Sequence, residues 1–253
     1  MHFKTVLIME LPREKRKPIN VRPKLMILFG KYKSGKSSIC SNIDNNLIID
    51  LEHGYDNLEA MVVNGNTMSE ICDIKRALDE ELKNNMGGKP YKYITIDNAT
   101  RLEELSMEYA IKLYKNTPMG KNYEGTDLKT LPQGAGYMYI RQAINNIINW
   151  FIPCCDTLIL VAHTKAKQIR INSEEMDEMS VDLFGKTGDL LCGLSDAVGY
   201  VFRRDNQTII SFKAGDNIIK GARPSYLTNK EFVAIESDEN NVLTYPQLNE
   251  VFI

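Results

Sequence analysis

The sequence predicts an α/β fold, a mostly parallel sheet flanked by helices, with an antiparallel hairpin toward the C-terminal end. Three observations carry that prediction. Apolar runs at 25–29, 47–51, 91–96 and 157–162 have the length and composition of buried strands. Apolar residues between them recur at helical spacing, and strands alternating with helices imply a parallel sheet with right-handed crossovers. Between the first run and the first helix stands Gly30-Lys31-Tyr32-Lys33-Ser34-Gly35-Lys36-Ser37. It fits G-x-x-x-x-G-K-[ST] in the strand–loop–helix context that this motif needs.

The elements follow in order. Val6 to Met9 reads as a short strand, and Arg13 to Pro18 as a charged, proline-flanked connection. Residues 1–23 are thus expected to form an arm, and 24–253 one domain. The first helix starts near Ser38 and puts Ile39 and Ile43 on one face. Ile71, Ile74, Leu78 and Leu82 mark a second helix, which Asn84 to Pro90 stops. The third run ends at Asp97, and Leu102, Leu105 and Tyr109 mark the helix after it. Residues 115–136, rich in Gly, Pro, Asn and Lys, read as a loop. Ile140, Ile144, Ile147 and Phe151 line one face of another helix, whose Tyr139 and Trp150 serve packing. The fourth run is followed by a polar stretch, Lys165 to Ser180, read as a second loop. Gly199 to Phe202 and Thr208 to Lys213 read as antiparallel strands joined through Asp205-Asn206.

Bulk properties bound the function classes. The 253 residues carry a net charge of −2, so nucleic-acid binding would need a local basic patch. The five cysteines form no C-x-x-C pair, and three histidines offer no zinc-like spacing. An odd cysteine count without a framework reads as reduced thiols in a cytosol. The N-terminal apolar core is too short for a signal peptide and has no small-residue cleavage site, and no apolar run approaches the ~18 residues of a membrane span. A cytoplasmic protein without membrane contact is expected, in the bacterial host cytosol if the chain is phage-encoded.

The glycine-rich segment is a Walker A pattern. Backbone N–H groups of such a loop wrap nucleotide phosphates, its lysine reaches the β/γ-phosphates, and its hydroxyl binds Mg²⁺. Gly30 through Ser37, with Ser38 behind them, are therefore the candidate nucleotide-binding residues, and ATP with Mg²⁺ the expected ligands. Tyr93-Ile94-Thr95-Ile96-Asp97 ends a buried strand in a carboxylate, as a Walker B segment does. Asp97 joins Ser37 as a candidate metal-holding residue. An Asp at that place also serves as a helix cap. The next residue is Asn98 rather than Glu, so the catalytic glutamate must come from elsewhere or be missing.

Leu47-Ile48-Ile49-Asp50-Leu51-Glu52-His53-Gly54 supplies one, and here the chain resembles the RecA family. In RecA-type proteins the strand after the phosphate-loop helix ends in hydrophobic-Asp-x-Glu, and that glutamate orients the attacking water. The resemblance makes Glu52 the catalytic candidate beside Lys36, and Asp50 structural. It also places the 157–162 strand between the phosphate-loop strand and the Asp97 strand, with a γ-phosphate sensor at its end. His163 stands there, in a Val-Ala-His setting similar to that of phage nucleotide-binding proteins with a RecA-like core, the phage single-strand annealing proteins among them. A neutral imidazole can hydrogen-bond a phosphate. His163 also suits a plain strand cap. The resemblance covers roughly residues 24–225, strongest at the Walker A segment.

In that family, loops after the Walker B and sensor strands face single-stranded DNA. The resemblance points to 115–136, with Lys121 and Tyr123, and to 165–183, with Lys165, Lys167 and Arg170 ahead of the acidic Glu174, Glu175, Asp177 and Glu178. Lys213, Lys220 and Arg223 match the region from which RecA-type filaments insert cations into a neighbour's ATP site. The function so implied is a RecA-like ATPase, stimulated by and acting on single-stranded DNA in phage recombination or replication, working as a homo-oligomer with other phage proteins. Two alternatives stay open: an NTPase serving a protein partner, such as a packaging motor or helicase loader, and a nucleotide switch that does not hydrolyse.

Overall fold

The computed structural model describes residues 13–18, 21–171, 174–215 and 217–253, with the side chains of 169–171 and 174–176 left out. The expected strand at Val6 to Met9 lies outside the described residues. Residues 13–18 are irregular and exposed.

The chain runs β1 (Leu25–Phe29), α1 (Lys36–Ser41), β2 (Asn46–Asp50), β3 (Met61–Asn64), α2 (Met68–Asn84), β4 (Tyr91–Asp97) and α3 (Ala99–Lys115). It continues with α4 (Ala135–Phe151), β5 (Cys155–Ala162), β6 (Thr164–Ile171), β7 (Glu174–Val181), α5 (Thr187–Leu194), β8 (Ala197–Arg204) and β9 (Gln207–Ser211). The last elements are β10 (Gly221–Ala222), β11 (Glu231–Ser237), β12 (Leu243–Thr244) and α6 (Leu248–Val251). Among the described residues the main sheet has the order β12-β11-β9-β8-β1-β5-β4-β2-β3, with β10 also on β8. The six strands from β8 to β3 are parallel, and β9, β10, β11 and β12 add antiparallel pairs. This is an α/β fold with a mostly parallel sheet and antiparallel strands toward the C-terminal end. Strand β5 lies between β1 and β4, the position the resemblance implies.

Both faces of the sheet are covered, which is why its central strands read as continuous apolar runs. Side chains alternate across a strand. Leu25, Ile27 and Phe29 enter a core shared with α2, α3 and α4, while Met26 and Leu28 enter a second core with Ile39 and Cys40 of α1 and Leu248 and Val251 of α6. The helical periodicities mark buried faces: Ile71, Ile74 and Leu78 on α2, and Ile140, Ile144, Ile147 and Phe151 on α4. A capping box of Thr67 and Glu70 fixes the start of α2. Tyr139 and Trp150 pack against Tyr114 and Tyr109 at ring distances of 5.0 and 5.3 Å.

Two expectations need correction. The stretch 165–180 is not a loop: β6 and β7 pair as an antiparallel hairpin outside the main sheet. Its register sets Lys167 opposite Glu178 and Arg170 opposite Glu175. The acidic run is thus the cross-strand complement of the basic one. Segment 115–136 is largely anchored. Leu128 is fully buried, Tyr123 packs edge-on against Tyr114 at 5.4 Å, and the Tyr123 hydroxyl donates to the Asp127 carbonyl at 2.8 Å. That ring is committed to packing rather than free to stack a base.

Candidate functional site

The C-terminal ends of β1, β2, β4, β5 and β8 converge on a cleft of about 390 Å³. Tyr32 to Ser38, Asp50, Glu52, Asp97 and His163 line it, and so do Asn98 and Arg203, which the sequence had not singled out. Crevices outside strand C-termini are where open α/β sheets bind ligands.

Gly30 ends β1 at a close approach: a Cβ there would lie 2.2 Å from the Val201 carbonyl oxygen of β8. Gly35 has φ 99°, in the left-handed region that glycine adopts without strain, and it turns the loop into α1. Lys36 is buried, and its Nζ donates to the carbonyls of Gly30 and Lys31 at 3.0 and 2.8 Å. Burial lowers its pKa, an effect that the nearby Asp97 carboxylate opposes. Ser34 Oγ is buried with no partner among the described residues. A buried orphan hydroxyl in a loop that lines a cleft fits a site built for an anion.

Ser37 Oγ donates to Asp97 Oδ2 at 3.1 Å, and the hydroxyl of Tyr55 donates to the same oxygen at 2.8 Å. Burial pushes the Asp97 carboxyl up, against the two hydrogen bonds and Lys36, which favour the ionised form. A hydroxyl and a carboxylate are the hard oxygen donors that Mg²⁺ takes alongside water and phosphate. No group of three His, Cys, Asp or Glu side chains with metal-holding spacing occurs among the described residues.

Glu52 is held by the turn after β2. Asp50 is buried, and its carboxylate accepts the backbone N–H groups of Glu52 at 3.0 Å and Tyr55 at 3.1 Å. Glu52 Oε2 accepts the side-chain amide of Asn98 at 2.6 Å, and the same amide nitrogen lies 3.3 Å from His163 Nε2. The His163 ring stacks on Tyr32 of the phosphate loop, with centroids 4.0 Å apart. Burial and the positive charge of Lys36 lower the His163 pKa, which favours the neutral ring.

The remaining candidates lie elsewhere. Lys165 Nζ donates to the Leu183 carbonyl, and Lys167 pairs with Asp189 at 2.8 Å. Lys121 is exposed, and the Arg170 side chain falls outside what the structure describes. Lys213 is exposed beyond β9, and Lys220 donates to Ser211 Oγ at 3.0 Å. Arg223 is held within its own chain by the Gly193 carbonyl at 2.8 Å and Asp196 at 3.0 Å, beside the C-terminal end of α5. A cation is favoured at a helix C-terminus. None of the six described cations lines the cleft.

Tyr55, Asn98 and Arg203 were missed. For Asn98 a signal existed, since it directly follows the Walker B acid. Tyr55 and Arg203 reach the site through pairings that no local pattern encodes.

A family model described as an AAA domain matches residues 22–226. No curated protein matches the sequence. Among solved structures, the crystal structure of the RadB recombinase is similar, with a TM-score of 0.43 and 10% identity over 87% of this chain and 90% of that one. Among the described residues no helix is long and apolar enough to cross a membrane.

Proposed function

The chain belongs to the AAA domain family, and on that premise we propose that it is a RecA-like ATPase, hydrolysing ATP to ADP and phosphate with Mg²⁺. One observation carries this: a single cleft gathers the Walker A loop, Asp97 and Glu52, with Glu52 in the turn after β2, the strand beside β4. Bound Mg²⁺ would neutralise charge on the β- and γ-phosphate oxygens. Ser37 and Asp97 would hold it. Lys36 exchanges its loop carbonyls for phosphate oxygens, and the loop amides with Ser34 and Ser38 wrap the anion. Glu52 orients the attacking water, and the neutral His163 ring reports the γ-phosphate to the β6–β7 hairpin that starts at the next residue.

The task we infer is the handling of single-stranded DNA in phage recombination or replication, by a homo-oligomer. Lys165, Lys167, Arg170 and Lys121 are the proposed DNA-facing cations, and Lys213, Lys220 and Arg223 the proposed cations for a neighbour's site. The DNA and phage assignments rest on the family resemblance. One observation favours a second reading, an NTPase serving a protein partner: the hairpin sets acids opposite its bases, and Lys165 and Lys167 are already engaged within the chain. The ATPase rate with and without single-stranded DNA, in wild type and Lys36→Ala, separates them. Hydrolysis that Lys36→Ala abolishes and DNA accelerates supports the first. Hydrolysis indifferent to DNA at low salt sinks the DNA assignment and keeps the enzyme.

A further inference from the structure

Asn98 caps α3: its Oδ1 accepts the backbone N–H of Arg101 at 2.9 Å. That bond fixes which way the amide points, so the NH₂ end faces the cleft. Its nitrogen has two protons, and two acceptors stand within reach, Glu52 Oε2 at 2.6 Å and His163 Nε2 at 3.3 Å. His163 accepts an amide proton at Nε2 in the tautomer that carries the ring proton on Nδ1. His163 Nδ1 is buried and has no partner among the described residues. Asn98 itself is buried, at 1% exposure. Glu52 uses one oxygen for Asn98, and Oε1 remains for the cleft.

We propose that Asn98 is a positioning residue that sets Glu52 and His163 together through one amide nitrogen. Resting on the assignment of Glu52 as the water-orienting group, the device fixes the carboxylate in a single pose. It also links that pose to the strand-end ring, which stacks in turn on Tyr32 of the phosphate loop. A change at the phosphate that moves the ring moves the amide, and with it Glu52.

The test uses Asn98→Ser and Asn98→Asp in the full chain, since Ser and Asp keep the helix cap and lack the amide donor. The readouts are kcat, KM for ATP, equilibrium ATP binding and thermal melting. The expected result for both variants is a kcat loss of about 10- to 100-fold from the misplaced carboxylate, with KM and ATP affinity within about twofold of wild type. In a double-mutant cycle, Asn98→Ser combined with His163→Ala loses less than the product of the single losses. Wild-type kcat in a folded Asn98→Ser or Asn98→Asp variant overturns the proposal, as do strictly multiplicative losses. If Asn98→Ser fails to fold, Asn98→Asp decides. Glu52→Gln is the control. If it hydrolyses ATP at the wild-type rate, the ATPase assignment of Glu52 fails. If it is inactive while Asn98→Ser is fully active, only the coupling fails.

Discussion

Tyr55 donates its phenolic proton to Asp97 across 2.8 Å, tying the turn that carries Glu52 to the end of β4. Asp50 closes the same turn from the other side by accepting the Tyr55 backbone N–H. Tyr55→Phe keeps the buried ring and removes only the hydroxyl. The loss of a hydrogen bond to a charged acceptor costs about 1.5 kcal/mol of stability. The Mg²⁺ concentration that half-saturates hydrolysis should rise about tenfold, as when an outer-shell partner is removed from a metal ligand. A magnesium titration of the ATPase rate checks this, and an unchanged midpoint contradicts it.

Gly30 leaves no room for a side chain, with the Val201 carbonyl oxygen 2.2 Å from an ideal Cβ. The neighbour is backbone in a paired strand, so it cannot swing aside. Gly30→Ala should push β1 and β8 apart where the phosphate loop begins, costing about 1–3 kcal/mol and weakening nucleotide binding. Thermal melting and ATP titration measure the two effects. A variant that melts and binds like wild type contradicts the geometry.

Glu103 of α3 is buried at 1% exposure, and its Oε2 accepts the Phe184 backbone N–H at 2.8 Å. Its Oε1 has no partner among the described residues, and burial pushes the carboxyl up to about 7 from an ordinary 4.5. Between those values the folded chain holds a proton that the unfolded chain has lost. Stability from this residue is therefore full below pH 4.5 and is lost as pH rises through 7. Glu103→Gln should match wild type below pH 4.5 and exceed it by about 3 kcal/mol at pH 8. Unfolding followed at several pH values checks the sign. A difference that does not grow with pH contradicts it.

Lys167 faces Glu178 across the hairpin and pairs with Asp189 at 2.8 Å, with 45% of its own side chain exposed. An exposed pair of this kind contributes little to stability, so the lysine can exchange its partner for a phosphate. If the hairpin meets single-stranded DNA, Lys167→Ala should weaken binding a few-fold at all sequences. It should also flatten the plot of log affinity against log salt by about 0.7, the slope of one phosphate contact on a single strand. Oligonucleotide titrations across salt concentrations read both. An unchanged slope removes this lysine from the interface.

The parts of the fold legible in the sequence are those where burial imposes a pattern. Strand β1 and the stretch Leu158–Ala162 of β5 lie inside a sheet covered on both faces, so they appear as unbroken apolar runs. Helices α2 and α4 each bury one stripe, which gives a 3.6-residue period. The hairpin β6–β7 was illegible because its pairing is written in charges, Lys167 against Glu178, rather than in apolar alternation. The edge strand β3 is four residues long and largely exposed, and it carries no burial signal. At the site, Lys36, Ser37 and Asp97 are marked by their place in a motif at a strand end, and Glu52 by the family resemblance. Tyr55 and Arg203 become visible only once the turn after β2 and the end of β8 are brought to the cleft, Tyr55 through its bond to Asp97 and Arg203 as part of the lining.

The most direct test of the central claim is hydrolysis and binding of ATP measured side by side in wild type and Glu52→Gln. The amide keeps the shape of the side chain and removes its charge. Wild type should bind and hydrolyse ATP, and Glu52→Gln should bind it with similar affinity and lose hydrolysis by about 100-fold or more. A wild-type protein that binds ATP and never hydrolyses it, or a Glu52→Gln variant with the wild-type rate, would contradict the account.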